Sequence, residues 1–552
     1  MLMLMRVLPA ADNAVLVELA DLSQTLSLLA SLQAKPIAGV TEVVPGARTL
    51  LVTFDAWALD RSALVAELGR RPLNPHSAQS GDEVETPVHD IPVFYDGEDL
   101  PEVAALLGIT PQDVVRRHTG CEWQVAFTGF APGFAYLSGG DELLRQVPRK
   151  PTPRTRLPAG AVAVAGGFSG IYPKASPGGW QVLGQTLLSM WDLQRDPPAL
   201  LQPGARVRFV DAGPRPAQAA KVTAVATAPA SYVASAASVA VPRVCAPAIE
   251  IVRTGWQALW QDLGRPGLAH LGLGPAGALD RGALRAANRL VGNPMGAVCI
   301  EAAYGGLELL SHGPTTVAVT GADGPLSLIA PDGRRCLAPR HAPIVLKEGE
   351  RLHVGQPRAG VRSYVAVHGG WDVAAVLGSC AYDSLAQIGP APLAVGQQWA
   401  VRTPAVDAVV GHASAPCGAW PAPGDEVTLN VRLGPRADWF TPEALALLAT
   451  QTWTVTPESN RIGLRVQGAQ ALTRAVRDEL PSEGTALGAI QVPASGQPVL
   501  FLADHPLTGG YPVIGCVVAG QLDLLGQIPA GVRLRFRVVA GFETVQIPPV
   551  KL

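Results

Sequence analysis

Gly178-Gly-Trp-Gln-Val-Leu-Gly184 and Gly509-Gly-Tyr-Pro-Val-Ile-Gly515 share one pattern: two glycines, an aromatic residue, and an apolar run closed by a third glycine. A glycine-led apolar stretch precedes each, Gly160-Ala-Val-Ala-Val164 and Gly488-Ala-Ile-Gln-Val492. A Pro/Gly turn feeding an arginine-bearing strand follows each, Pro203–Phe209 and Pro529–Phe536. Short apolar runs bounded by glycine and proline read as strands. Three such features in the same order predict one barrel architecture used in both halves of the chain.

The totals agree with a chain of several β-rich units. At 552 residues it is too long for one core, because single cores stop growing near ~250–300 residues. Fifty-nine glycines and fifty prolines suit many short strands joined by tight turns rather than long helices. The formal charge of −2 gives no bulk attraction for phosphate polymers, so no nucleic-acid partner is expected. Seven scattered cysteines without a CxxC pair fit buried thiols in a reducing, cytoplasmic setting. The uncharged run Val222–Pro242 is mostly Ala, Ser, Thr and Val with Pro229 inside, which reads as a linker and not a membrane span.

Residues 1–80 alternate strand-like pieces (Ala14–Leu19, Thr49–Phe54) with helix-like ones (Leu22–Leu32, Ser62–Leu68), predicting a small α/β lobe. A polar boundary at Asn74–Glu85 leads to a mainly β unit over 86–212. That unit carries helices near Asp99–Leu107 and Thr110–His118, the second opened by Thr110-Pro111. Residues 213–247 are an Ala/Pro-rich linker. A second unit is divided near Ala415–Glu426 into lobes at 248–415 and 425–552, with its clearest helix at Arg281–Val291.

Several chemistries are missing from the sequence: no GxxxxGK[ST], no HExxH, no GxSxG, no Gly-Gly-Ser-Ser amidase stretch and no Met-Lys-Met biotin-attachment site. What remains are dense Gly/Pro/Arg/aromatic blocks: His118–Leu137 (with Pro132 and Gly133), Pro148-Arg-Lys-Pro-Thr-Pro-Arg154 and Gly170–Trp180. Glycines admit close backbone approach, and prolines fix a loop in advance. Arg149 and Arg154 offer forked donors, while Tyr172 and Trp180 offer flat walls, together suiting a small-molecule cleft in which Gly178 and Gly179 lie. Corners of a barrel would use the same residue types.

The second half supplies Arg265, Asp280, Asn288, Glu301, Asn460, Arg461, His505, Thr508, Gly509, Gly510 and Tyr511 as candidates. Asp280 reads either as an acid or as the cap of the helix that follows it. Glu301, in an apolar strand, reads either as a general base with a raised pKa or as half of an arginine pair. His505 reads either as an acid/base group titrating near neutrality or as a hydrogen-bonded loop histidine.

The blocks GFAPGFAYL, PRKPTPR, GIYPKASPGGW and PGARVRF resemble the allophanate hydrolase subunit 1 family, which includes the B component of 5-oxoprolinase. QDLGRPG, GALD, AANRLVGN, YVAVHGGWD, SNRIG, GAIQVP and TGGYPVIG resemble subunit 2 of that system, which includes the C component of 5-oxoprolinase. After Val376–Ser379 the chain departs from the family pattern, reading Cys380-Ala-Tyr-Asp383 and Ile388-Gly-Pro390.

The resemblance implies a mainly β fold with α+β parts, cyclophilin-like β-barrels in both halves and a small N-terminal α/β lobe. It implies a component of an ATP-dependent 5-oxoprolinase that opens a lactam to glutamate. ATP with Mg²⁺ would be co-substrate, no biotin would be covalently bound, and a separate third subunit of the lactam-utilisation type would be the partner. Catalytic roles then fall to His505, Glu301, Asp280 and Arg154. Binding roles fall to His118, Pro132, Gly133, Arg149, Tyr172, Gly178, Gly179, Trp180, Arg265, Asn288, Asn460, Arg461 and Thr508–Tyr511. Two other readings stay open: a carboxyltransferase-like unit for urea or a related amide with a biotin carrier in trans, and a regulator that binds a histidine kinase. A homo-oligomer is compatible with all three.

Overall fold

A computed structural model describes residues 5–73, 88–216, 247–416 and 418–547. The boundary at Asn74–Glu85 and most of the 213–247 linker lie outside the described residues.

The repeat in the sequence becomes two barrels of one topology. Their strands are numbered here in chain order. The first barrel has β1 (Val88–Val93), β2 (Trp123–Thr128), β3 (Ala135–Gly139), β4 (Ala161–Ala165), β5 (Phe168–Ile171), β6 (Gln181–Gln185) and β7 (Arg206–Asp211). The second has β8 (Glu426–Leu433), β9 (Trp453–Val455), β10 (Gly463–Gln467), β11 (Ala489–Gln491), β12 (Val499–Phe501), β13 (Val513–Val517) and β14 (Arg533–Ala540). The spatial order is β6-β4-β5-β3-β2-β7-β1 in the first and β13-β11-β12-β10-β9-β14-β8 in the second. Each strand thus corresponds to the one numbered seven higher. In both barrels the last strand pairs parallel to the first. The first closes through the Phe94–Gln185 bridge and the second through β8 and β13. Closure leaves no exposed sheet edge.

Local chemistry repeats as well. Thr110 and Thr441 each cap a helix that has proline at its start, Pro111–Thr119 and Pro442–Thr450. The indole of Trp123 then donates to His118 O and that of Trp453 to Leu448 O, 3.1 Å in each case. One buried tryptophan per barrel therefore satisfies a helix-end carbonyl while filling the core.

Between the barrels in sequence stands a sandwich of a six-stranded and a five-stranded sheet, drawn from Ala248–Ala400. Its core includes Trp260, Trp371 and Val365. The Arg281–Leu290 helix packs on the five-stranded sheet through Leu284, Ala287, Ala318 and Tyr364.

The N-terminal lobe is an antiparallel sheet covered on one face by the helices Leu22–Ala34 and Arg61–Gly69. Its other face, with Leu8, Leu16 and Leu51, shares a core with Ala269, Ala486, Leu507 and Cys516 of the second half. The sequence reading placed everything from 425 to the end in one lobe. Instead Val545–Ile547 leaves that lobe and joins the N-terminal sheet, with Met5 opposite Ile547. A shared apolar core and a shared sheet bind the halves as parts of one molecule.

Candidate functional site

The two barrels face each other across a cleft of about 440 Å³, within the range of small-molecule sites. Each barrel contributes the glycine pair of the repeat, Gly178-Gly179 on one side and Gly509-Gly510 on the other, each followed by an aromatic residue. Each also contributes an arm that leads into a short two-stranded sheet. Arg154–Leu157 pairs with Ser176–Gly178, and Glu483–Gly484 pairs with Thr508–Gly509. The arm of the first barrel brings Arg149, Lys150, Pro151 and Pro153 to the cleft; that of the second brings Arg474, Arg477, Glu479 and Ser482.

Glycine admits the close approach where the parts meet. A Cβ at Gly510 would lie 2.3 Å from Arg149 Nη1, and one at Gly178 would lie 2.3 Å from the Tyr172 hydroxyl.

One wall is aromatic. Phe134 meets Tyr172 and Trp180 edge-to-face, with ring centres 5.2 and 5.4 Å apart, and Tyr136 meets Trp180 at 5.5 Å. The floor is a chain of hydroxyls that crosses between the halves. Arg149 Nη2 donates to Ser482 Oγ at 3.1 Å, and Ser482 Oγ donates to Tyr136 Oη at 3.2 Å. Tyr136 Oη lies 3.4 Å from Thr508 Oγ1, which accepts from Phe130 N at 2.9 Å. Phe130 sits at φ 61°, a left-handed conformation costly for an aromatic residue and associated with functional sites. Its partner across the joint, Thr508, holds it there.

The cleft thus collects Arg149, Tyr172, Gly178, Gly179, Trp180, Thr508, Gly509, Gly510 and Tyr511 from the sequence candidates. The others lie elsewhere. Pro132 and Gly133 are buried in the loop where the halves meet, with Gly133 N donating to Leu271 O. Arg154 stands behind the first arm, paired with Asp99 and with Glu98 at 2.8 Å. His118 is inside the first barrel, Nδ1 on Tyr95 Oη at 2.7 Å and Nε2 on Ser169 Oγ at 2.9 Å, and burial pushes its pKa down to about 3.

The carboxylates and histidine proposed as acid/base groups are built into the structure instead. Glu301 is 2% exposed and lies in a buried network. It accepts from the Tyr364 hydroxyl at 2.7 Å, from Leu279 N at 3.2 Å and from Arg461, with Arg362 nearby. Burial alone would raise its pKa, but the two guanidinium groups outweigh burial and the net shift is downward. That selects the arginine-pair alternative over the raised-pKa base.

Arg461 also holds Asp504 at 2.8 Å and borders a separate cavity with Asn460, whose side chain closes a turn on Ile462 N. Asp280 caps its helix, accepting from Ala283 N and from Gln527 Nε2 at 2.8 Å each, and burial raises its pKa to about 7. His505 places Nδ1 2.7 Å from Leu502 O and Nε2 3.2 Å from Thr485 O, and burial lowers its pKa. Asn288 ties its helix to Ala297 O at 2.7 Å. Arg265 is buried and donates to Ala381 O.

The sequence reading did not single out Phe130, Phe134, Tyr136, Lys150, Arg474, Arg477 or Ser482. The first three and Lys150 lie within blocks already read as pocket-like; the last three lie on the second arm, which has no such block. In the structure the two arms correspond: Arg154 faces Gly178 in one short sheet as Glu483 faces Gly509 in the other.

Comparison with known proteins accounts for both halves. The family described as carboxyltransferase domain, subdomain C and D, matches residues 5–201, and that described as carboxyltransferase domain, subdomain A and B, matches residues 271–538. The chain is 34% identical over 296 residues to the C component of 5-oxoprolinase from Escherichia coli (strain K12), covering 52% of this chain and 90% of that one. It is 36% identical over 191 residues to the B component of 5-oxoprolinase from Bacillus subtilis (strain 168), covering 33% and 79%. The crystal structure of TTHA0988 superposes with a TM-score of 0.74 at 34% identity, covering 95% of this chain and 99% of that one. Two barrels facing one cleft, with a family match in each half, place this chain in the carboxyltransferase-domain family of the B and C components of 5-oxoprolinase, with both domains fused in one polypeptide.

Proposed function

We propose that the chain is the fused B/C-type component of an ATP-dependent 5-oxoprolinase and that the lactam binds in the cleft between the barrels. One observation carries this reading: a single cleft requires both halves, its floor being a hydroxyl chain that alternates between them. A protein with independent B-like and C-like activities would have no need of shared walls.

The chemistry of a five-membered lactam suits this arrangement. The amide is unreactive, so its oxygen is made a leaving group by accepting the γ-phosphoryl of ATP. Water then adds to the imidate carbon, the C–N bond breaks and the ring nitrogen takes a proton, leaving γ-glutamyl phosphate; a second water cleaves that acyl phosphate to glutamate and phosphate. The aromatic wall excludes bulk water around the ring. Tyr136, Ser482 and Thr508 present hydroxyls able to donate to the amide oxygen or accept from the ring N–H. The four glycines let a ligand approach the backbone.

ATP and Mg²⁺ enter this reading as co-substrate. Among the described residues no three His, Cys, Asp or Glu side chains cluster to hold a metal. Mg²⁺ commonly travels on nucleotide phosphates with its waters, so no protein ligand is assigned to it. Also among the described residues, no helix is long and apolar enough to cross a membrane.

The test combines the purified chain with a lactam-utilisation-type third subunit, ATP, Mg²⁺ and 5-oxoproline. Glutamate and ADP should appear together, and Tyr136→Phe should slow both. Folded wild-type protein that makes neither, yet carboxylates urea with a biotin carrier in trans, would replace this reading with the carboxyltransferase one.

A further inference from the structure

The two arms differ in how their positive charges are compensated. On the first, Arg149, Lys150 and Arg154 each have an acid. Arg149 meets Glu479 at 2.9 Å, Lys150 meets Asp99 at 2.8 Å and Glu102 at 2.7 Å, and Arg154 meets Asp99 and Glu98. On the second arm, Arg474 and Arg477 also border the cleft, and among the described residues neither forms an ion pair with a carboxylate.

Arg474 is nonetheless held in place. Its backbone bridges to Phe440, the next residue donates from Ala475 N to Trp439 O at 2.8 Å, and its Nη2 donates to Val492 O at 2.6 Å. Its guanidinium carbon lies 5.5 Å from the centre of the Tyr511 ring. Burial lowers its pKa, so the cation carries a desolvation cost that no ion pair among the described residues offsets. A fixed, partly desolvated guanidinium facing a cleft whose opposite wall is aromatic is a receptor for a small carboxylate.

Resting on the function proposed above, we propose that Arg474, supported by the exposed Arg477, takes the carboxylate of the lactam and so selects a carboxylated lactam over an uncharged amide. The apolar edge of the ring then lies on the Phe134–Tyr172–Trp180 wall and its amide reaches the Tyr136–Ser482–Thr508 hydroxyls.

The experiment titrates the full chain calorimetrically with 5-oxoproline and with 2-pyrrolidinone, the same ring without the carboxylate. Wild type should prefer the acid. Arg474→Gln, which retains a donor for Val492 O, should weaken 5-oxoproline by roughly tenfold and leave 2-pyrrolidinone unchanged. Arg474→Lys should recover part of the loss, since it restores charge without the fork. In the reconstituted reaction the Gln variant should raise KM for 5-oxoproline more than it lowers kcat. Equal weakening of both ligands, or no weakening of either, overturns the anchor while leaving the cleft as the lactam site. Wild-type protein that binds neither ligand overturns the cleft reading together with the anchor.

Discussion

The two barrels share a topology but differ where each touches the cleft and where each is packed. Asp99 N donates to Val182 O in the first, and Arg436 N donates to Val513 O in the second, so the two residues occupy one position. Each then forms an ion pair with the arm residue facing the first glycine of the repeat: Asp99 with Arg154, and Arg436 with Glu483. The same pair is built twice with its charges exchanged. Position and partnership are evidently what the fold requires, and the sign is free. The two arms also differ in their other cations: Arg149 and Lys150 of the first are paired with acids, whereas among the described residues Arg474 and Arg477 of the second form no ion pair.

The largest expected effect comes from breaking the second of these pairs. Arg436 is 3% exposed and also holds Glu18 of the N-terminal lobe at 2.8 Å. Arg436→Met leaves the buried Glu483 without its cation and Glu18 with Arg6 alone, and a broken buried pair costs about 3–5 kcal/mol. In the first barrel Arg154 is partly exposed and Lys150 remains on Asp99, so Arg154→Met should cost distinctly less. Urea unfolding of the two variants measures the difference, and equal losses would mean that the exchange of sign has no structural weight.

A second contrast lies inside the barrels. His118 and Leu448 both accept a tryptophan indole on their carbonyl from five residues downstream, and both are buried. Leu448 belongs to an apolar core, while His118 bonds Tyr95 and Ser169 and stacks on Phe209 at 4.2 Å. His118→Leu copies the second barrel but takes the histidine from the Tyr95 hydroxyl and leaves Ser169 Oγ only Ala163 O, and a buried hydroxyl left unpaired costs about 1–3 kcal/mol. His118→Leu with Tyr95→Phe and Ser169→Ala removes the stranded groups and should recover most of that loss.

The pH dependence should change with it. The folded-state pKa of His118 is depressed to about 3, so its contribution is present above the unfolded value near 6.5 and is lost as pH falls toward 3. The triple variant should lose less stability than wild type over that interval. Asp280 acts in the opposite sense. Its pKa is raised to about 7, so the folded state holds the extra proton and stability declines as pH rises from about 4 to 7. Asp280→Ser keeps a helix cap and should flatten that decline. A His118 triple variant with an unchanged acid limb would show that the histidine is not what makes the first barrel acid-sensitive.

Much of this correspondence is written in the chain. Thr110-Pro111 leading to Trp123, and Thr441-Pro442 leading to Trp453, extend the glycine repeat upstream and mark both capped helices. The glycine pairs marked the cleft because at Gly178, Gly509 and Gly510 a neighbouring side chain comes closer than a Cβ would allow without a shift. Glu301 and His505 were harder to read for one reason: their electrostatics are set by partners distant in sequence or by backbone carbonyls. Arg461 lies 160 residues from Glu301, and the carbonyls that hold His505 have no sequence signature. The second arm carries no proline-rich block like PRKPTPR, because contacts with Trp439 and Val492 fix its course where prolines stiffen the first. The fifth strand of the N-terminal sheet was out of reach for the same reason, its partner being at the opposite end of the chain.

The smallest expected effect concerns a feature that both barrels share with the same sign. Where the last strand lies parallel to the first, Arg208 meets Asp90 and Arg535 meets Glu426, each at 2.8 Å and each exposed. Both pairs straighten long side chains in water, where Coulomb attraction is screened and ordering two side chains consumes most of the gain. Hydrogen bonding to Arg208 draws the Asp90 carboxyl below its usual range, but that carboxyl is fully exposed, so the shift carries no weight for the fold. Arg208→Ala and Arg535→Ala should therefore each leave the unfolding midpoint at the wild-type value, and added salt should not separate them from it. A clear loss in one barrel alone would show that the parallel seam is weaker there. The first barrel is the one to watch, since it closes through the single Phe94–Gln185 bridge while the second is sealed by three residues of β8 against β13.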